Sequence, residues 1–264
     1  MKVYWKYYII PLLYGIIFSW KVNIIGSEKT DICSIVAYLG NGNVYECSYG
    51  SVLDMLSVNF IYFMFIIVFS TYIYRHFCNS SVYIFSRFNN RIIWYLKECL
   101  KLLGFVVLGN IMVLAGFIIT AVLGCGITFQ QGSMLIVGLY LLVYSLWIFA
   151  SVLLANILSI KINSAIGNVI TMGLLLFSTI LLGSIDYQNI TSADILKLRL
   201  NPMSYSILSW YKVKINGEIW FEELEYACSP WIGVAFLGVF SLAIMLAGAI
   251  YIQRMDITKN STEN

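Results

Sequence analysis

"SRFNNRIIWYLKECLK", Ser86–Lys101, runs straight into "LLGFVVLGNIMVLAGFIITAVLGC", Leu102–Cys125. The second stretch has no charged residue and is longer than the roughly 20 apolar residues a helix needs to cross a hydrocarbon core. The first holds Arg87, Arg91, Lys97, Glu98 and Lys101 around Trp94. An uncharged run of spanning length against a basic, aromatic flank is a membrane pattern, and composition extends it to the whole chain. Of 264 residues, 60% are hydrophobic and 11% charged, where soluble domains carry about 25% charged residues. The class predicted is an all-α integral membrane protein.

Six runs have the length and apolar character of spans, at about 7–25, 55–74, 102–125, 134–158, 165–185 and 231–252. None alternates polar and apolar residues as a barrel strand would. The opening run follows two lysines but has no small-residue cleavage site after it, so it reads as a first span rather than a removed signal. With the N-terminus in the cytoplasm, the inner side holds ten basic residues: Lys2, Lys6, Arg75, Arg87, Arg91, Lys97, Lys101, Lys161, Arg254 and Lys259. Three acidic residues join them, for a charge of +7, against −4 outside from six basic and ten acidic residues. Positive charge in short inner segments sets orientation, so both termini are expected inside. The outer loops are then 26–54 and 186–230.

What the spans lack narrows function. No ionisable residue lies deep in any of them, so the relay of an ion-coupled carrier and the arginine row of a voltage sensor are missing. Asn59, Asn110, Asn156 and Asn168 read as interhelical hydrogen-bonding groups or end positions rather than a polar path. No GxxxxGK[ST] occurs, so ATP phosphates are not cradled by that route. One histidine and no CxxC pair leave no metal-ligand set, and no basic domain points to nucleic acid. Glu222-Glu223 is the kind of pair an intramembrane CAAX-type protease uses, but the paired histidines are missing. The chain is read as no enzyme, with no cofactor of its own.

On a wheel of about 100° per residue, Arg87, Asn90, Arg91, Trp94, Lys97, Glu98 and Lys101 fall within roughly 120°. Phe88, Ile92, Ile93, Leu96 and Leu100 lie opposite. Three readings fit this amphipathic helix at about 86–101: a surface-lying helix held by anionic lipid, the inner end of the third span, or a protein contact. A tryptophan among arginines favours the last, since both are enriched in binding hot spots.

The outer loops carry their own signals. "IVAYL-GNGN-VYECSY", 35–49, reads as a β-hairpin around Asn-Gly. Cys33 and Cys47 both lie outside and form a candidate disulfide. The hairpin register sets Cys47 opposite Val36, however, and Cys228 competes, so free thiols are expected. "SADILKLRL", 192–200, reads as a helix capped by Ser192. "GEIWFEELEYACSP", 217–230, gathers Glu218, Glu222, Glu223 and Glu225 with Trp220 and Phe221, either a surface for a cationic peptide or an ordinary solvated cap.

The segment "SRFNNRIIWYLKECLKLL" resembles an "SR…R..W…K" pattern in permease subunits of ABC-2 type transporters, in particular bacterial antimicrobial-peptide and lantibiotic-type permeases. "LNPMSYS", 200–206, resembles the family's outer loop before the last span. The resemblance implies a coupling helix that docks into a separate ATPase, with Arg87, Arg91, Trp94 and Lys97 as its contacts. It also implies two ATPase copies that bind the ATP, and a second permease, identical or different. Peptide or lipid-like cargo would be exported across a bacterial plasma membrane. The alternative is a non-transporting sensor or immunity protein that binds a toxin through its outer loops.

The charge asymmetry predicts that a cysteine at Asn89 is shielded from an impermeant maleimide in intact cells, while one at Glu223 is labelled. The reverse pattern in a background lacking native cysteines overturns the orientation.

Overall fold

The computed structural model describes residues 5–21, 30–40, 52–78, 90–124, 126–129, 132–185, 190–215, 218–221 and 229–254. The helices are α1 (Trp5–Lys21), α2 (Ile32–Leu39), α3 (Val52–Phe69), α4 (72–78), α5 (Arg91–Gly124), α6 (Ser133–Lys161), α7 (Ser164–Gly183), α8 (Ser192–Leu200) and α9 (Pro230–Arg254). Beside them stand four short strands, β1 (Thr30–Asp31), β2 (Ile127–Thr128), β3 (Val213–Ile215) and β4 (Glu218–Phe221), and two 3-10 turns, Pro202–Ser206 and Leu208–Trp210. Five helical stretches are long and apolar enough to cross a membrane: Asn59–Cys78, α5, α6, α7 and α9. The chain is an all-α, multi-pass membrane protein. The apolar part of α1, Tyr8–Ser19, is shorter than these.

The direction of each helix follows from its contacts. Tyr8 lies near Phe105, and Phe18 near Phe117, so α1 runs parallel to α5. Along α3 and α4, Gly109 packs on Phe65 and Glu98 on Tyr72, an antiparallel pairing with α5. Gly248 of α9 packs on Tyr95 of α5 and Ile157 of α6. The C-terminal end of α9 therefore sits beside the start of α5 and the end of α6. One pole of the bundle holds the described start of α1, α4, the start of α5, the α6–α7 turn and the end of α9.

α6 is the core helix. Its most apolar window is 67% buried, against 28% for α7 and for α9, because α3, α5, α7 and α9 all pack on it. The lipid-facing sides of α7 and α9 keep Val169, Phe177, Val239 and Leu246 exposed, as expected where the solvent is hydrocarbon.

The opposite pole is capped. α2 buries Ile32, Cys33, Ile35, Val36 and Leu39, a helical i, i+3, i+4, i+7 stripe. The hairpin expected at 35–49 is thus corrected over its first arm, where the buried stripe has a helical and not a two-residue period; 41–50 lie outside the described residues. A hairpin does form further on. β3 and β4 pair antiparallel, with Lys214 opposite Ile219 and Ile215 opposite Glu218. Asn216-Gly217 stands between them, the dipeptide that favours tight hairpin turns. β1 pairs with β2 in parallel, and Leu208 N–H donates to the Gly40 carbonyl at 3.1 Å, tying the loops together. The cap of α8 is Thr191, one residue before the expected Ser192. Its hydroxyl accepts from Asp194 N–H while the Asp194 carboxylate accepts from the Thr191 backbone. Hydrogen bonds from Lys197 and then Thr191 hold the Asp194 carboxyl down at about 2.

α1 docks on α5 through glycine. Gly15 lies against the Val113 carbonyl and Gly116, and a Cβ on Gly116 would meet Leu12 O at 2.6 Å and Ile16 N at 2.9 Å. This is backbone on backbone, with no flexible side chain to yield. Gly104 of the same helix has nothing within 4 Å of its Cβ position. Gly116→Ala is therefore expected to destabilise the bundle by about 1–3 kcal/mol, as overpacking does. Gly104→Ala should be neutral or stabilising by up to about 1 kcal/mol. Unfolding both variants in mixed detergent micelles checks the contrast.

Candidate functional site

Of the described basic residues, Lys6, Arg75, Arg91, Lys97, Lys101, Lys161 and Arg254 lie at the pole where α4 meets the start of α5, while Lys21, Lys197, Arg199, Lys212 and Lys214 lie toward the capped pole. α5 begins after Asn90, whose side-chain Oδ1 accepts from Ile93 N–H at 3.4 Å and whose backbone carbonyl accepts from Trp94 N–H at 3.4 Å. From Arg91 onward the helix is unbroken for 34 residues. At 1.5 Å per residue that is about 51 Å, against roughly 30 Å of hydrocarbon. The excess lets the turns bearing Arg91, Lys97 and Lys101 stand beyond the membrane core.

The helix expected as a separate element at 86–101 is therefore, from Arg91, the first three turns of the α5 span; 86–89, with Arg87, lie outside the described residues. Its roll also differs from a surface-lying helix. Ile93, Leu96 and Leu100 are exposed, while the face bearing Trp94, Tyr95 and Glu98 turns into the protein. Trp94 is half-buried with its ring 6.3 Å from that of Phe77 on α4. Arg91 is half-buried and Lys97 exposed. The expected contact set is thus split. Lys97 faces outward, and Trp94 packs within the chain.

Glu98 is the residue whose role the sequence did not disclose. It is 4% exposed, accepting from Tyr72 OH at 3.1 Å and from Lys101 Nζ at 2.6 Å. Tyr72 in turn lies against His76, at 4.9 Å between ring centroids, and Phe105, at 5.3 Å. The Glu98–Lys101 spacing was visible, but Tyr72 is 26 residues away and no local pattern points to it. The arrangement fixes α4 to α5 and holds a basic surface beside the joint. Among the described residues no group of His, Cys, Asp or Glu is placed to hold a metal.

At the capped pole, β4 carries Glu218, Trp220 and Phe221, while Glu222, Glu223 and Glu225 lie outside the described residues. Cys33 has a free thiol that donates to Ser133 Oγ at 3.3 Å. Burial, the largest effect, raises its pKa. Free thiols are the expected state, and the candidate bridge from Cys33 is not formed; Cys47 lies outside the described residues. A cavity of about 170 Å³ separates α7 from α9 over the floor of α6, lined by Trp147, Leu154, Leu175 and Phe240 and ended by Pro202. The hydroxyls of Ser151 and Thr171 in its wall bond their own helix carbonyls at 3.0 and 2.8 Å, which leaves it apolar.

No protein-family model, curated protein or solved structure matches this chain.

Glu98→Ala is expected to cost about 1.5–3 kcal/mol, the range of hydrogen bonds to a charged group. Lys101→Ala should cost under about 1 kcal/mol, because the lysine side chain is 58% exposed and exposed pairs are weak. Equal losses in detergent unfolding would mean that Tyr72 contributes nothing through Glu98.

Proposed function

We propose that the chain is the six-span permease subunit of an ABC-2 type transporter in a bacterial plasma membrane. The observation that carries this reading is the excess of described basic residues at the α4–α5 pole, seven against five toward the capped pole, in a sequence with no GxxxxGK[ST] motif. The positive-inside tendency makes that pole cytoplasmic, and with it the ends of α1 and α9. α1 supplies the sixth span. Its 17 residues lie at the short end of what crosses a bilayer.

A separate ATPase, two copies serving two permeases, supplies the energy and docks at the basic pole. Arg87, Arg91 and Lys97 are its electrostatic contacts, and Trp94 supports them from within by fixing α5 to α4. The cargo is an amphipathic peptide antimicrobial or lipid-like compound moving outward. The apolar recess between α7 and α9 supports such a cargo, since aliphatic chains partition there without breaking hydrogen bonds.

The double change Arg87→Glu, Arg91→Glu, and separately Lys97→Glu, should release the ATPase from permease purified in mild detergent. Removing one partner of a buried charge pair costs roughly 2–5 kcal/mol, and about 1.4 kcal/mol is tenfold in affinity. The double variant should therefore retain less than a tenth of the ATPase at matched amounts of monodisperse permease. Full retention in both variants rejects the docking role, and a partner-free wild-type chain rejects the transporter reading itself.

A further inference from the structure

The interruption between α3 and α4 contains neither proline nor glycine; residues 69–73 are Phe-Ser-Thr-Tyr-Ile. The ladder runs as far as the bond from Ser70 N–H to the Ile66 carbonyl, 2.8 Å, and is in place again from Arg75 N–H to the Thr71 carbonyl, 2.9 Å. In an uninterrupted α-helix, Ile73 N–H would bond the Phe69 carbonyl. Here both groups turn to one side chain of α6. Ile73 N–H donates to Asn156 Oδ1 at 2.8 Å, and Asn156 Nδ2 donates to the Phe69 carbonyl at 3.0 Å. The same Nδ2 also donates to the Val152 carbonyl at 2.9 Å. Asn156 and Ile73 are fully buried, so no water stands in for either. A side chain inserted into the ladder is one of the few established causes of a break in a helix.

We propose that Ser70–Thr71 is a hinge with Asn156 as its pin, on which α4 swings as a short limb against α5. The Asn156 carboxamide offers two N–H donors and an accepting oxygen: one N–H and the oxygen stand in for the Phe69–Ile73 peptide bond, while the other N–H holds the Val152 carbonyl. Two arrangements therefore keep the backbone bonded: the interrupted one, with the amide in the ladder, and a continuous one. In the continuous form Ile73 bonds Phe69 directly, and Nδ2 keeps Val152. Discrete alternatives of this kind make an element bistable rather than gradually deformable. The limb is tied to α5 at its hinge end by Tyr72 on Glu98 and near its free end by Phe77 on Trp94. Through the limb, the chain continues into 79–89 and Arg87. The hinge belongs to the chain alone and does not rest on an ATPase partner.

The test is a distance measurement on the full chain in lipid nanodiscs. Spin labels go on native Cys78 and on Lys161→Cys, both exposed positions, with the other five of the six cysteines replaced. The seven residues of α4 span about 10 Å, so a change of about 20° at the joint moves the label site by roughly 3–4 Å. Pulsed dipolar spectroscopy should give one dominant distance in the otherwise unchanged chain, shifted by at least that amount in Asn156→Ala. Tyr72→Phe keeps the ring contacts and the pin but removes the tie to Glu98, and should add a second distance. If Asn156→Ala does not fold, Tyr72→Phe decides alone. A shift in either folded variant supports the hinge. An unchanged single distance in every folded variant overturns it, whatever the outcome of ATPase capture.

Discussion

Hydrocarbon offers a backbone no water, so every N–H and carbonyl at that depth must find a partner in the protein. The rest of this structure follows from that constraint. Helices satisfy it by themselves, and the places where they do not are where other elements have been recruited. At the α3–α4 break the recruit is Asn156. Elsewhere the buried asparagines tie helix to helix: Asn59 to Thr179 at 2.7 Å, and Asn110 to Tyr140 at 2.9 Å and to Ser145 at 3.4 Å. Such bonds average only about 0.6 kcal/mol in a bilayer, whereas an unsatisfied group costs several. The asymmetry decides their role. They add little to stability, and they penalise every wrong rotation of one helix against another. They therefore set register.

Where no polar rung is available, closeness takes over. α1 has Pro11 inside it and a short apolar stretch, so it cannot contribute a full ladder. Its hold on α5 comes from the Gly15–Gly116 crossing, where carbonyls and Cα atoms touch across the two helices. Lipid tails are as apolar as leucine, so association there gains mainly from van der Waals contact at short range. A crossing without side chains maximises that contact. It also makes the position intolerant of a single methyl group, unlike the lipid-facing Gly104.

Spans were legible because length and apolar content are enough to mark them, and 134–158 and 231–252 fall within α6 and α9. The asparagines were read as interhelical groups, and three of the four are: Asn59, Asn110 and Asn156. What failed depended on information that one sequence window does not hold. Asn-Gly draws attention to a turn, but two such dipeptides occur in the chain, at 41–42 and 216–217. The residues before Asn41 bury a helical stripe, while those flanking Asn216 pair as strands. The parallel docking of α1 on α5, across about 100 residues, is carried by two glycines with no local signature. The cap of α8 was misplaced by one residue because Thr191 and Ser192 are both good caps, and only the reciprocal bond to Asp194 separates them.

The roll of α5 shows why an amphipathic wheel misleads near a membrane. In water, the apolar face of a helix packs inward and the charged face is solvated. At the α4–α5 pole, Ile93 and Leu100 are 50% and 69% exposed, while Glu98 on the charged face is 4% exposed. The inversion has a simple cause. These turns lie where α5 leaves the hydrocarbon, and a carboxylate buried there against α4 needs the Tyr72 hydroxyl and the Lys101 ammonium. The Glu98 side of the charged face therefore turns toward donors of the protein, and the lysine reaches outward along its apolar stem. A single acidic residue among many bases thereby sets the orientation of the helix. Trp94, one turn earlier on the same face, is carried with it onto Phe77, while Lys97 stays outside. The same packing that fixes α4 thus selects which of the basic residues remain available to a partner.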